Sequence, residues 1–79
     1  MKARVIVTLK NGVLDPQGKA IVGALSSLDF DGVQSVRQGK VFDLILNDMT
    51  KEKAQKQITE MCEKLLANTV IENYHIEIL

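Results

Sequence analysis

Val33-Gln34-Ser35-Val36-Arg37-Gln38-Gly39-Lys40-Val41-Phe42-Asp43-Leu44-Ile45-Leu46-Asn47, residues 33–47, sets two β-type runs on either side of a Gly-Lys pair. The second run, VFDLILN at 41–47, alternates, with Phe42, Leu44 and Leu46 on one face and Val41, Asp43 and Ile45 on the other. The first run, VQSVRQ at 33–38, is a weaker strand candidate whose register stays open. Gly39-Lys40 between them predicts a hairpin turn. A hairpin here places two adjacent strands in the middle of the chain, and what flanks it then fixes the architecture.

Upstream, residues 3–10, ARVIVTLK, alternate and are rich in β-branched side chains, the pattern of a strand. Ala3, Val5, Val7 and Leu9 share one face, and Arg4, Ile6, Thr8 and Lys10 the other. Asn11-Gly12 ends this strand, and Asp15-Pro16 starts a helix. The Asp15 carboxylate suits a free first-turn N–H, and Pro16 has no N–H to leave orphaned. Across 17–29, Ile21, Ala24, Leu25 and Leu28 recur at helical spacing. Gly18 and Gly23 each weaken such a helix by about 1 kcal/mol relative to alanine, which implies close packing against the sheet or a partner.

Downstream, Thr50 caps a second helix, with Glu52 near its positive end. Ala54, Ile58, Met61, Cys62, Leu65 and Leu66 form its apolar stripe, and Asn68 is a terminator. A last strand at 70–78 turns Tyr74, Ile76 and Ile78 inward and Asn73, His75 and Glu77 outward. The order is β-α-β-β-α-β. It predicts one α+β domain over 1–79, a ferredoxin-like sandwich with a four-stranded antiparallel sheet and both helices on one face. The other face stays bare. Ile6, Thr8, Val41 and Ile45 on it are the candidate surface for self-association, through that face or a sheet edge.

Ten basic and ten acidic residues cancel, and one tyrosine and two phenylalanines are the only aromatic residues. That balance argues against a nucleic-acid partner. No apolar run approaches a membrane span, and no signal-peptide hydrophobic region precedes the first strand, so the expected location is the cytoplasm. The lone Cys62 cannot form an internal bridge, which fits a reducing compartment. On the apolar stripe it reads as a core cysteine rather than a nucleophile. His75 is the only histidine, too few for a metal site or a catalytic pair.

The loop KNGVLDPQG, residues 10–18, joins two glycines to a helix N-terminus but carries no phosphate-loop motif. A turn and a capped helix are its plainer reading. Acylphosphatases of this topology use an arginine in the corresponding loop, and none occurs between Arg4 and Arg37. RNA-recognition domains stack bases on sheet aromatics, whereas Phe42 and Tyr74 belong to the core side. Arg37, Gly39 and Lys40 form a basic tip that solvation alone explains.

Four segments together resemble the PurS family, the small subunit of phosphoribosylformylglycinamidine synthase. They are Gly12-Val13-Leu14-Asp15-Pro16-Gln17-Gly18, Val36-Arg37-Gln38-Gly39-Lys40, Met61-Cys62-Glu63-Lys64-Leu65-Leu66-Ala67-Asn68 and Val70-Ile71-Glu72-Asn73-Tyr74. Thr69 departs from the proline that the family pattern places before Val-Ile-Glu. The resemblance implies a subunit of an ATP-dependent, glutamine-hydrolysing ligase that carries no catalytic residues and binds no cofactor itself. ATP, Mg and glutamine are used by the partners, a PurQ-type glutaminase and a PurL-type synthetase. It implies a homodimer or homotetramer that holds the two active sites in a competent arrangement for ammonia transfer. By position, Asp15, Pro16, Gln17 and Gly18 are one candidate partner contact, Arg37, Gly39 and Lys40 a second, and Asn68 a third. The competing reading is a regulatory module of the same topology that binds a small ligand at the first helix.

Overall fold

The computed structural model describes all residues from Met1 to Leu79. Alternation draws Lys2–Leu9 into a strand, β1, whose Ala3, Val5 and Val7 point to one side and are buried. Helix α1 follows at Pro16–Ser27, strand β2 at Gly39–Ile45, and helix α2 at Lys51–Met61. A π-helical turn over Cys62–Leu66 continues α2, and strand β3 runs over Glu72–Ile78. The sheet is antiparallel with the order β2-β1-β3, so β1 is the middle strand. Register sets Val5 between Phe42 and Ile76, and Ile6 between Val41 and His75.

Only α2 packs on the sheet. Its Ala54 and Ile58, with Cys62 and Ala67 beyond its end, close over Ala3, Val5 and Val7. Phe42, Leu44, Tyr74, Ile76 and Ile78 ring that contact, each half-buried. Full burial of Ile58 contributes about 1.5–3 kcal/mol, a large share for so thin a core. Thr50 begins α2 as expected, its hydroxyl accepting from the Lys53 N–H at 3.2 Å.

The structure corrects the sequence reading in four places. The sheet has three strands, not four, because residues 33–38 form no strand and pair with no neighbour. Gly39 and Lys40 make no turn; both lie in β2. Helix α1 does not join α2 on the sheet, and its Ile21, Ala24 and Leu28 are exposed. Leu65 leaves the apolar stripe and is 82% exposed. The reason is the π-helical turn, in which the Ala67 N–H reaches the Cys62 carbonyl five residues back, so that the side chains within the turn no longer keep α-helical spacing.

Smaller corrections follow the same physics. Asn68 is not the residue that stops the helix, which ends where Ala67 turns extended. Instead the Asn68 side chain accepts from the Val70 N–H in the next turn. Helix α1 stops at Ser27, two residues short of the expected end, because Asp29 takes the left-handed conformation at φ 71°. The Asp29 N–H reaches the Ser26 carbonyl and the Phe30 N–H the Leu25 carbonyl, a Schellman closure built on Asp rather than Gly.

The molecule is long for its size. Its radius of gyration is 16.1 Å, where a compact chain of this length has about 12 Å. The extents are 49 × 24 × 15 Å. A strand of eight residues spans about 26 Å and a helix of twelve about 18 Å, so α1 projects beyond the end of the sheet.

Candidate functional site

The expected partner-contact residues converge where α1 leaves the sheet. Asp15 is 5% exposed and caps α1, with Oδ1 accepting from the Gly18 N–H at 2.8 Å. Its Oδ2 accepts from the Gln38 N–H, also at 2.8 Å. One carboxylate thus ties the start of the helix to the segment that returns from it. These two backbone donors, Gln38 first, hold its carboxyl below the ordinary 3.8, and the Arg37 charge adds to them.

Arg37 works beside it. Its Nη1 donates to the Val13 carbonyl at 2.7 Å and its Nη2 to the Lys10 carbonyl at 3.0 Å, locking the 10–13 turn onto the returning chain. Gly18 is buried because the Val36 carbonyl lies against its α-carbon, leaving no space for a side chain. Gly39 is constrained in the same way by the Val7 carbonyl, 2.5 Å from where a β-carbon would sit.

Lys40 and Asn68 meet the same centre through Glu72. Lys40 Nζ lies 3.5 Å from Glu72 Oε2, and the Asn68 N–H donates to Glu72 Oε1 at 2.6 Å. A cleft of about 280 Å³ lies between these groups, lined by Asp15, Gln17, Gly39, Lys40 and Glu72 over Val7 and Leu9. The structure therefore gathers residues that the sequence placed in three separate regions. Gln17 lines the cleft and is exposed, as is its neighbour Pro16. Glu72, Gln38 and Val36 were missed by sequence reasoning. Opposite charge on Lys40 and Glu72 was visible, but not that β2 and β3 flank β1 in a register that brings them together.

On the open face of the sheet, Ile6 lies between Val41 and His75. Arg4 Nε donates to Asp43 Oδ1 at 2.8 Å, and that bond holds the Asp43 carboxyl below its ordinary value. Val41 and Ile45 are 58% and 85% exposed, so this face presents apolar area edged by an ion pair.

No nucleophile is set up in either place. Burial pushes the Cys62 thiol above its ordinary 9.0, which keeps it protonated in the core. Tyr74 Oη donates to Glu63 Oε2 at 2.7 Å, and that bond raises its ionisation above the ordinary 10.0. No three His, Cys, Asp or Glu side chains converge as metal ligands, and no helix is long and apolar enough to cross a membrane.

The family model for PurS, phosphoribosylformylglycinamidine (FGAM) synthase, matches residues 2–79. A relative from Methanocaldococcus jannaschii, phosphoribosylformylglycinamidine synthase subunit PurS, is 46% identical over 77 residues, 98% of this chain and 93% of its own. The subunit of the same name from Bacillus subtilis is 48% identical over 77 residues, 98% of this chain and 90% of its own. The crystal structure of the M. jannaschii PurS superposes with a TM-score of 0.86, covering 96% of this chain and 92% of that one. A chain in the structure of PurLQS from Thermotoga maritima superposes at 0.88 with 33% identity, covering 99% of this chain and 95% of its own. With end-to-end matches in both sequence and fold, this chain belongs to the PurS family of phosphoribosylformylglycinamidine synthase subunits.

Proposed function

We infer that this chain is the assembly subunit of a phosphoribosylformylglycinamidine synthase in purine biosynthesis. It joins a PurQ-type glutaminase to a PurL-type synthetase and supports the passage of ammonia from one to the other. The observation that carries this reading is its likeness, along nearly its whole length, to a chain in the PurLQS structure from T. maritima. The ligase chemistry belongs to the complex. ATP, Mg and glutamine are handled by the partner subunits, and this chain binds no cofactor itself. It works in the cytoplasm, without nucleic acid or membrane.

The cleft at the base of α1 is the proposed partner contact. Asp15, Gly18, Arg37 and Gly39 shape it from within, and Pro16, Gln17, Lys40 and Asn68 offer it to a neighbour. What supports this is that Asp15, Gln17, Gly39 and Lys40 line one cleft with Glu72, which also holds Asn68, while Gly18 and Arg37 bond or pack against the segments that form it. The chain also self-associates as a homodimer or homotetramer through its sheet, with Ile6, Thr8, Val41 and Ile45 on the open face. Its thin core and exposed apolar side chains support that reading.

The test is glutamine-dependent synthesis of formylglycinamidine ribonucleotide by the synthetase and glutaminase, with and without this chain. Turnover is expected only with it, while ammonia-dependent synthesis by the synthetase alone persists. Full glutamine-dependent turnover in its absence overturns the reading.

A further inference from the structure

The turn that hands β1 on to α1 carries chemistry that the assembly role does not use. Asn11 and Gly12 are its two central residues, closed by the Val13 N–H on the Lys10 carbonyl at 3.2 Å. Asn11 keeps a negative φ and Gly12 takes φ 85°, the pairing of a type II turn. Both residues are exposed. Arg37 bonds to the carbonyls of Lys10 and Val13, while the Asn11 carboxamide and the Gly12 N–H bond to nothing.

A glycine after an asparagine leaves room for its own amide nitrogen to reach the asparagine side chain. Gly12 has no β-carbon to obstruct that approach, and nothing lies within 4 Å of where one would sit. Of Asn11, Asn47, Asn68 and Asn73, only Asn11 precedes a glycine. Asn68 is further tied by the Val70 N–H, and Asn73 lies within β3. Gln17 and Gln38 also precede glycines, but their longer side chains must close a larger ring. Gly18 and Gly39 are moreover held against the carbonyls of Val36 and Val7.

We propose that Asn11-Gly12 is a self-modification site, where the folded chain converts asparagine to aspartate and isoaspartate without an enzyme. The Gly12 nitrogen gives its proton to solvent base and attacks Asn11 Cγ. The new C–N bond closes a cyclic imide, the Cγ–Nδ2 bond breaks, and Nδ2 leaves as ammonia with a solvent proton. One water then opens the imide. Cleavage of the bond to Cγ restores the main chain with aspartate at position 11. Cleavage at the main-chain carbonyl leaves isoaspartate, with the chain routed through Cγ. In sum, one water is consumed and one ammonia released, with no change of oxidation state.

The place of the pair gives the reaction a control and a consequence. Arg37 holds the Lys10 carbonyl at 3.0 Å and the Val13 carbonyl at 2.7 Å, one on either side of the reacting residues. It thereby fastens the turn to the arm made of α1 and residues 33–38. Ring closure needs the Gly12 nitrogen to swing towards Cγ, a local opening that this rigid fork resists. Isoaspartate then adds a methylene to the main chain between the two carbonyls, so their spacing no longer matches the fork. Arg37 slows the reaction, and the product undoes the grip of Arg37.

The reaction needs no partner and stands apart from the assembly role. The test warms the purified full chain at mildly alkaline pH and maps its peptides by mass spectrometry, with isoaspartate scored by an isoaspartate methyltransferase. The amide-to-acid mass shift is expected at Asn11 before it appears at Asn47, Asn68 or Asn73, with isoaspartate the larger product. Asn11→Gln abolishes the early shift. Arg37→Ala, checked for folding by circular dichroism, speeds it several-fold; if that variant does not fold, the parent unfolded in urea supplies the released turn. No conversion at Asn11 in the folded parent, or earlier conversion at another asparagine, overturns the proposal. Equal rates in the folded parent and the released turn overturn the control by Arg37.

Discussion

Gly18 in α1 lies against the carbonyl oxygen of Val36, with no room between them for a β-carbon. The contact joins the first turn of the helix to the returning chain and makes the arm one body rather than two loose segments. It also separates two glycines that look alike in sequence. Gly23, in the same helix, has nothing within 4 Å of where its side chain would be. Gly23→Ala is therefore expected to raise stability by about 0.5–1 kcal/mol, from helix propensity alone. Gly18→Ala reverses that sign and lowers the thermal midpoint. Paired thermal melts check this, and a gain at Gly18 removes the close contact.

The Asp15 carboxylate links pH to the integrity of the arm. Its native ionisation lies below the ordinary 3.8, because it accepts from Gln38 and Gly18. A depressed native value means its stabilisation is complete above the unfolded value and is lost as pH falls through the native one. Asp15→Asn keeps an acceptor but removes the charge. The variant is expected to be less stable than the parent at neutral pH, with the gap closing on acidification. Urea midpoints measured from pH 7 to 2 test it, and a gap independent of pH counts against this role.

Arg37 donates to two carbonyls from two separate nitrogens of a rigid planar fork, a spacing that the single nitrogen of a lysine does not reproduce. Arg37→Ala is expected to speed amide exchange in residues 10–18 several-fold while leaving that of α2 unchanged. Arg37→Lys should resemble alanine rather than the parent. Rescue by lysine would show that charge alone matters there.

Ile58 and Leu65 share a helical face on paper and part company in the fold. Ile58 is fully buried and Leu65 is 82% exposed. Ile58→Ala is expected to cost about 2–5 kcal/mol through a core cavity, enough to unfold much of so small a domain. Leu65→Ala should stay within about 0.5 kcal/mol at concentrations where the chain is monomeric. Chemical denaturation of both measures the difference, and equal losses would place Leu65 in the core.

What the sequence disclosed follows from how local each feature is. Both strands with strong alternation, the Asp15 and Thr50 caps and the Ala54-Ile58-Cys62 stripe depend on residues a few positions apart, and all are present. The fate of 33–38 is not local. Whether Gly39-Lys40 folds back or runs straight depends on what pairs with β2 and what covers α1, and neither is written in a turn dipeptide. Leu65 escaped for another reason: the π-helical turn over Cys62–Leu66 breaks the α-helical spacing there, and the sequence carries no mark of it. In the candidate site, capping chemistry pointed to Asp15, but only the register of three strands brings Lys40 and Glu72 to it.

The central place of β1 has a consequence for the birth of the protein. Both strands that flank it come later in the chain, and β3 pairs with it along Ala3 to Leu9. During translation, Val5 and Val7 leave the ribosome before either flanking strand and have no strand neighbour until β2 has been made. The sheet closes only after Glu72–Ile78 emerges, so the domain folds as a unit only once that strand has been made. A nascent chain arrested before that point carries a central strand with one open edge, the surface that chaperones hold and aggregates begin from.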